Sequence, residues 1–153
     1  MEQHNRISGL VINGTRLLTS SGTQSERQRV ITDILNQNAF SMTGHTGPFS
    51  ITAALIEHRY ILDISDSSGH VVPIGVPLTP LKRTMKDYRI VCESYFQALQ
   101  TADPGKVEAI DMGRRSLHNE GADILAMLLP PSITTDFQTL RKLFTLFYLL
   151  QIR

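Results

Sequence analysis

Polar residues of the types that carry out chemistry lie along one side of a predicted helix at residues 107–121 of this 153-residue chain. At 100° per residue they follow one flank of that helix, in the order Glu108, Asp111, Arg115 and His118, with Asn119 beside them. Two carboxylates, a guanidinium and an imidazole can bind a small anion or perform acid–base chemistry. We take this charged flank as the candidate functional site.

Two interpretations of the charged flank remain open at this level. In the catalytic one, His118 works with Asp111 or Glu120 as an acid–base pair, and Arg114 or Arg115 holds an anion, as in a small hydrolase or a phosphoryl-group handler. In the structural one, the charges form surface ion pairs and the histidine is a hydrogen-bonded core residue. A metal site is not predicted, because one histidine and two acids lack the spacing of known zinc motifs.

A second charged stripe precedes the charged flank, on another predicted helix. Lys82, Lys86 and Arg89 share one side of it, and with the two arginines of the charged flank they would suit the phosphates of RNA or of a nucleotide. No glycine-rich phosphate loop or aromatic RNA-reading motif accompanies them, and the net charge of +1 gives no general attraction to nucleic acid. A solvated helix face is the favoured interpretation, with RNA or ribosome association as an alternative.

Glycines inside the helix at 107–121 offer a separate clue. Each one costs about 1 kcal/mol relative to alanine in a helix, so Gly113 and Gly121 require a reason. Close packing is one reason, because Ala109, Gly113 and Ser116 share a side. The other is that Gly113 or Gly121 breaks the helix and turns His118 or a neighbouring arginine toward a ligand.

Composition indicates one globular domain over residues 1–153, with 41% hydrophobic and 19% charged residues. The only cysteine, Cys92, excludes an intramolecular disulfide and fits a packed, inert thiol in a reducing compartment. Met1 to Arg6 shows no targeting signal, and the apolar run from Leu143 to Leu150 is far shorter than the roughly 20 residues of a membrane span. A cytoplasmic protein with no membrane segment is expected, and no motif predicts a cofactor.

The first half, residues 1–77, combines a helix with a small antiparallel sheet. A short strand from Ile7 to Ile12 ends at the turn pair Asn13-Gly14, a polar loop follows from Thr19, and Ser25 with Gln28 forms a capping box that starts a helix. Its buried stripe is Val30, Ile31, Ile34 and Leu35. The segment that follows Asn38 is expected to be a loop.

Three strands of an antiparallel meander follow. Alternation predicts strands from Phe49 to Leu55 and from Tyr60 to Ile64, joined by a short turn at residues 57–59. A second turn at residues 66–69 leads into the third strand, and Pro73 places that strand at an edge or gives it a bulge. The loop at residues 44–47 could present His45, although that signal is weak by itself.

Three helices are expected in the second half, residues 78–153. Thr79 caps the first with Pro80 at its first position, and Asp103-Pro104-Gly105 begins the second. The core stripe expected on the first helix is Leu81, Met85, Tyr88, Cys92, Tyr95, Phe96 and Leu99. Thr135 or Asp136 caps the third, which is apolar on several faces, and is therefore covered by its own domain or forms a homodimer interface.

Short motifs in the second half resemble those of a family of small uncharacterised proteins found mainly in alphaproteobacteria. The motifs are Leu78-Thr79-Pro80, Lys86-Asp87-Tyr88, Cys92-Glu93-Ser94-Tyr95, residues 108–115 and Leu117-His118-Asn119-Glu120-Gly121. The resemblance implies a bacterial cytoplasmic protein without an assigned activity, so no catalytic residue can be transferred from it.

The sequence thus predicts an α+β fold, with a helix and a small antiparallel meander of three to four strands followed by three helices packed on the sheet. It favours a non-enzymatic binding or regulatory protein that uses the charged flank to hold a protein or a small anionic ligand. The expected ligand-binding residues are Lys86, Glu108, Asp111, Arg114, Arg115, His118 and Asn119.

Overall fold

A computed structural model describes residues 4–13, 21–101 and 103–152 of the chain. Its secondary structure runs β1 (Ile7–Ile12), α1 (Ser21–Asn36), β2 (Phe40–Met42), β3 (Phe49–Ile56), β4 (Arg59–Ser65), β5 (Val71–Pro77), α2 (Lys82–Thr101), α3 (Pro104–Leu128), β6 (Ile133–Thr135) and α4 (Phe137–Gln151). The predicted α+β class is confirmed. Gly14 of the predicted turn and the start of the loop at Thr19 lie outside the described ranges.

The main sheet has four strands in the order β1-β3-β4-β5. β3, β4 and β5 form the predicted antiparallel meander, whereas β1 pairs with β3 in parallel. Parallel pairing requires a long crossover, which α1 helps to supply between the two strands. The sequence does not predict this parallel pairing, because the residues of β1 carry no signal for the direction of the neighbouring strand.

The β3–β4 hairpin buries one face of each strand. Phe49, Ile51 and Ala53 alternate with more exposed residues on β3, as Tyr60, Leu62 and Ile64 do on β4. A two-residue turn joins them, with Glu57 and His58 both at positive φ, so Arg59 already belongs to β4. Pro73 lies on the edge strand β5, opposite Asp63 and without an outer neighbour in the sheet, as predicted.

A second, two-stranded sheet forms where the sequence suggested only loops. β2 pairs antiparallel with β6, matching Phe40 with Thr135 and Met42 with Ile133. Strands of three residues are too short to show the alternation by which longer strands are recognised. Their pairing brings the entry of α4 beside the end of α1, where the Ala39 N–H donates to Thr139 Oγ1 at 3.0 Å.

α1 begins earlier than expected. Ser21 is its first helical residue and Ser25 lies inside it, so the predicted capping box at Ser25 and the loop predicted up to it are wrong for residues 21–25. The apolar stripe is correct: Ile31 and Ile34 are buried and Val30 is half-buried.

Basic side chains tie α1 and α4 to each other's ends. Arg27 is buried and donates to the carbonyl of Leu149 at 3.0 Å, near the last turn of α4. Lys142 of α4 donates to the Gln37 carbonyl at 2.7 Å, just past the end of α1. Helix C-termini carry unpaired carbonyls and a partial negative charge, so each cation stabilises the other helix.

α2 departs from prediction at both ends. A 3-10 turn at Thr79–Leu81 precedes it, and Thr79 is the first residue of that turn rather than a cap. Met85 and Tyr88 are buried as expected, but Phe96 is 65% exposed and Leu99 is 49% exposed. The predicted core stripe is therefore correct for the first half of α2 and wrong for Phe96 and Leu99, because the buried residue in this second half is Ala98.

α3 is one continuous helix from Pro104 to Leu128. It begins at the predicted place, where Asp103 caps it by accepting from the Lys106 N–H. The interpretation that Gly113 or Gly121 breaks the helix is wrong. Gly121 instead lets the Phe144 ring lie directly against α3, since a Cβ there would come within 2.3 Å of a ring carbon, whereas a Cβ on Gly113 would meet only Val91 at 3.8 Å.

α4 is the most buried helix of the core. Asp136 caps it by accepting from the Thr139 N–H at 2.9 Å. Its apolar faces pack on α1, α3 and β3, which supports coverage by its own domain rather than by a second copy. Among its buried residues are Leu140, Leu143, Phe144, Leu146, Phe147, Tyr148, Leu149 and Leu150. None of the described helices combines the length and apolarity that crossing a membrane requires.

The two glycines of α3 form a matched pair for a test of close packing. We expect Gly121→Ala to lower the free energy of unfolding by about 1–3 kcal/mol, because the new methyl group overlaps the Phe144 ring. Gly113→Ala has room for its methyl group and should raise stability by up to about 1 kcal/mol through helix propensity. Urea denaturation of both variants measures the difference. Equal effects of the two substitutions would contradict the contact between α3 and Phe144.

Candidate functional site

Asp111 is the centre of the charged flank in the folded protein. Its carboxylate accepts from Arg114 Nε at 3.1 Å and pairs with Arg115 Nη2 at 2.6 Å. The carboxylate side chain is only 15% exposed, whereas that of Arg115 is 66% exposed. Hydrogen bonds from Arg114, and then from Arg115, hold the pKa of Asp111 below its usual range, so it stays ionised.

Arg114 has a second contact that fixes its orientation. Its guanidinium carbon lies 4.8 Å from the centre of the Tyr95 ring on α2, which is a cation–π geometry. With Asp111 on one side and Tyr95 on the other, the planar group has little freedom. Asp111, Arg114 and Arg115 therefore form an ordered cluster, which we call the arginine cluster.

His118, the predicted acid–base residue, takes part in a different set of contacts. Its Nε2 lies 2.8 Å from the carbonyl oxygen of Arg141 and 2.8 Å from Thr145 Oγ1. Its Nδ1 lies 3.3 Å from Arg141 Nη2. A carbonyl only accepts and a guanidinium only donates, so the network assigns the proton to Nε2 and the lone pair to Nδ1.

Both ring nitrogens of His118 are thus occupied by α4. Burial has the largest effect on His118 and lowers its pKa. The charges of Arg141 and Arg114 lower it further, so the neutral form is favoured. Tyr88 and Phe144 lie against the ring, with centroids 5.6 and 5.8 Å away. These contacts are those of a structural histidine that joins α3 to α4, and they leave no lone pair facing solvent.

Among the described residues, the other predicted site residues form no hydrogen bond or ion pair with the arginine cluster. Glu108, Asn119 and Lys86 are exposed on their helices. Glu120 accepts from Thr84 Oγ1 at 3.4 Å, which joins α3 to α2. The structure therefore brings three of the predicted ligand-binding residues together, and it places His118 and Glu120 in helix–helix contacts.

Exposed apolar side chains adjoin the arginine cluster. Tyr88 of α2 contacts Phe144 and Tyr148 of α4, and α4 ends at Gln151. Phe96 lies further along α2, is 65% exposed, and its ring contacts that of Tyr95, on which Arg114 packs. We call Tyr95, Phe96 and Leu99 the apolar patch.

A histidine outside the predicted site has a contact of a different kind. His45, between β2 and β3, has its Nδ1 2.7 Å from Asp66 Oδ2. In the sequence His45 is only a weak signal, because its partner lies 21 residues away in the β4–β5 turn. Together they line a surface cleft of about 520 Å³.

Cys92 is half-buried between the helices. Burial raises the pKa of its thiol, which disfavours the reactive thiolate and agrees with the expected inert role. Within the described ranges, no group of three or more histidine, cysteine, aspartate or glutamate residues is arranged to hold a metal ion.

Comparison with known proteins gives a consistent result. The family model described as "Uncharacterised protein family (UPF0262)" matches residues 4–153. A UPF0262 protein of Brucella canis is 44% identical over 133 residues, covering 85% of this chain and 83% of the relative. UPF0262 proteins of Xanthobacter autotrophicus and Rhizobium meliloti are 41% and 40% identical, each covering 92% of this chain and 88% and 90% of the relative, respectively. No solved structure matches the chain.

The contacts of His118 generate a prediction for pH. Because the pKa of His118 is lowered in the folded state, the unfolded chain binds its proton first as the pH falls below about 6.5. The stability from neutral His118 is complete above that pH and is lost as the pH falls toward the folded pKa. We expect the unfolding free energy of wild type to fall more steeply between about pH 7 and 5 than that of His118→Gln, measured by urea denaturation. Parallel curves would show that His118 is not held neutral.

Proposed function

We propose that this chain, which belongs to the uncharacterised protein family UPF0262, acts through the arginine cluster and the apolar patch as a non-enzymatic binding or regulatory surface. The observation that carries this proposal is one ordered carboxylate, Asp111, holding two guanidinium groups beside the half-buried Tyr95 and the exposed Phe96. We expect the protein to act in the cytoplasm of an alphaproteobacterium.

Order in the arginine cluster supports binding. A guanidinium that is already held by Asp111 and Tyr95 loses less conformational freedom when it meets a partner, so more of the contact energy contributes to affinity. The cluster also keeps an unbalanced charge, because two arginines face one carboxylate. Arg115 remains 66% exposed and can donate hydrogen bonds to a further carboxylate from a partner.

The neighbouring apolar patch indicates what kind of partner fits. Arginine and aromatic residues are enriched at the centres of protein interfaces and dominate their binding energy. Phe96 and Leu99, three residues apart on α2, form an exposed apolar surface, which suits a second helix packed against it. We therefore propose an amphipathic helix of a partner protein, with acidic residues that meet Arg114 and Arg115.

Two alternatives receive less support. An acid–base enzyme centred on His118 would need a free ring nitrogen, whereas both nitrogens of His118 contact α4. RNA or ribosome association through Lys82, Lys86 and Arg89 has exposed side chains in its favour, but Arg89 is paired with Glu93. Binding of that kind would weaken steeply with salt.

Photocrosslinking in an alphaproteobacterial host tests the proposed surface. A photoreactive amino acid in place of Phe96 should give a discrete crosslinked protein, whereas the same group in place of Ile56, which is 55% exposed on β3, should not. Adding Arg115→Glu to the Phe96 variant should reduce the crosslinked species about tenfold, because it repels an acidic partner.

Purified proteins give the control for this experiment. Arg115 is exposed, so Arg115→Glu should leave the thermal midpoint nearly unchanged. Equal crosslinking at positions 56 and 96, or crosslinking insensitive to Arg115→Glu in a stable protein, would exclude this surface. Crosslinking to RNA instead of protein would favour the nucleic-acid alternative.

A further inference from the structure

We propose that His45 and Asp66 form a proton-transfer site in the cleft at the β2–β3 loop, where His45 activates water or another hydroxyl group against an uncharged ester. This site is separate from the proposed binding surface, and neither proposal depends on the other. It rests on the hydrogen bonds of the cleft, which assign the proton to one nitrogen of the His45 ring and the lone pair to the other.

Asp66 determines which nitrogen of His45 carries a proton. An ionised carboxylate can only accept, so the 2.7 Å contact requires His45 Nδ1 to donate. The neutral ring then has its lone pair on Nε2. No hydrogen bond to Nε2 is found among the described residues, and 26% of the side chain is exposed at the cleft. This is the arrangement that a general base requires, and it is the opposite of that at His118.

Asp66 is itself held in place by its own turn. Its Oδ1 accepts from the Ser68 N–H at 2.9 Å, from Ser68 Oγ at 2.7 Å and from the His70 N–H at 3.0 Å. The side chain is 7% exposed. Hydrogen bonds from His45 and then Ser68 hold the pKa of Asp66 well below its usual range. Asp66 is therefore a positioning residue that fixes the orientation and the tautomer of the His45 ring.

Ser68 and His70 do not form a second dyad. Ser68 Oγ donates its single proton to Asp66, so the 2.8 Å contact with His70 Nδ1 requires the imidazole to be the donor. A hydroxyl that donates to a carboxylate and accepts from an imidazole is not activated as a nucleophile. Because Ser68 is not available as a nucleophile, the group that His45 deprotonates is water or a hydroxyl of the ligand.

The lining of the cleft defines the class of ligand. Hydroxyl side chains of Thr46, Ser67 and Ser68 line it together with His45, His70 and Asp66, and no lysine or arginine is among its lining residues. The negative charge of Asp66 has no cationic neighbour there to attract a phosphate or carboxylate. An uncharged ligand with hydrogen-bonding oxygens is therefore favoured.

The proton and bond changes balance without any further reactant. His45 Nε2 takes a proton from water while the water oxygen bonds to the ester carbonyl carbon. The carbon–oxygen bond to the leaving alcohol then breaks, and the alkoxide takes the proton back from His45, which regenerates the imidazole. The acid product releases its own proton to solvent.

Hydrolysis of ethyl dichloroacetate, followed by acid release at constant pH 8, is a direct probe of this chemistry. We expect His45→Asn to reduce the second-order rate constant of the whole protein about tenfold or more, and expect the wild-type reaction to be slower in D₂O because a proton moves in the rate-limiting step. His58→Asn is the matched control, since His58 is an exposed turn residue, and should leave the rate unchanged.

A nitrogen-15 spectrum of the histidine rings tests the positioning role independently of hydrolysis. At pH 8 the wild-type His45 should carry its proton on Nδ1, and Asp66→Asn should move part of the population to the other tautomer and slow hydrolysis several-fold. Thermal melting confirms folding of each variant. A folded His45→Asn protein with the wild-type rate, or a wild-type His45 protonated at Nε2, would overturn the proposal and leave Asp66 as a turn-forming residue only.

Discussion

The burial of α4 against the sheet is the constraint on which the rest of this fold depends. Tyr60, fully buried on β4, stacks on Phe147 with ring centres 4.2 Å apart and donates its hydroxyl to the Phe147 carbonyl at 2.6 Å. This pair joins the antiparallel meander to the last helix, and burial raises the pKa of the tyrosine hydroxyl so that it remains a donor. Since α1 and α3 both pack on α4, its position sets theirs.

The helical hairpin of α2 and α3 carries the surface proposed for binding. Phe96 and Leu99 are exposed on α2, although helical periodicity predicts them for the core. Arg114 of α3 packs on Tyr95 of α2, so the arginine cluster lies beside these side chains. Further along α3, both ring nitrogens of His118 contact α4, which leaves the arginine cluster as the exposed part of the charged flank.

The two histidines with defined tautomers illustrate how context decides chemistry. His118 was singled out because it shares a helix with charged residues, yet its ring is used for contacts between α3 and α4. The sequence signal at His45 is weak because Asp66 is distant in the chain, yet His45 Nδ1 lies 2.7 Å from Asp66 Oδ2 in the structure. Spacing along a helix identified the Asp111 pairs correctly, since residues three and four apart are neighbours there.

The sequence by itself determined the local features of this protein: the alternating strands β3 and β4, the starts of α3 and α4, Pro73 at an edge and the family. These follow from periods, caps and motifs that act over a few residues. Tertiary structure alone decided the parallel pairing of β1, the β2–β6 sheet, the role of Gly121 and the meeting of His45 with Asp66. Each of these depends on contacts between distant residues, and local periodicity carries no information about which distant segment will be the neighbour.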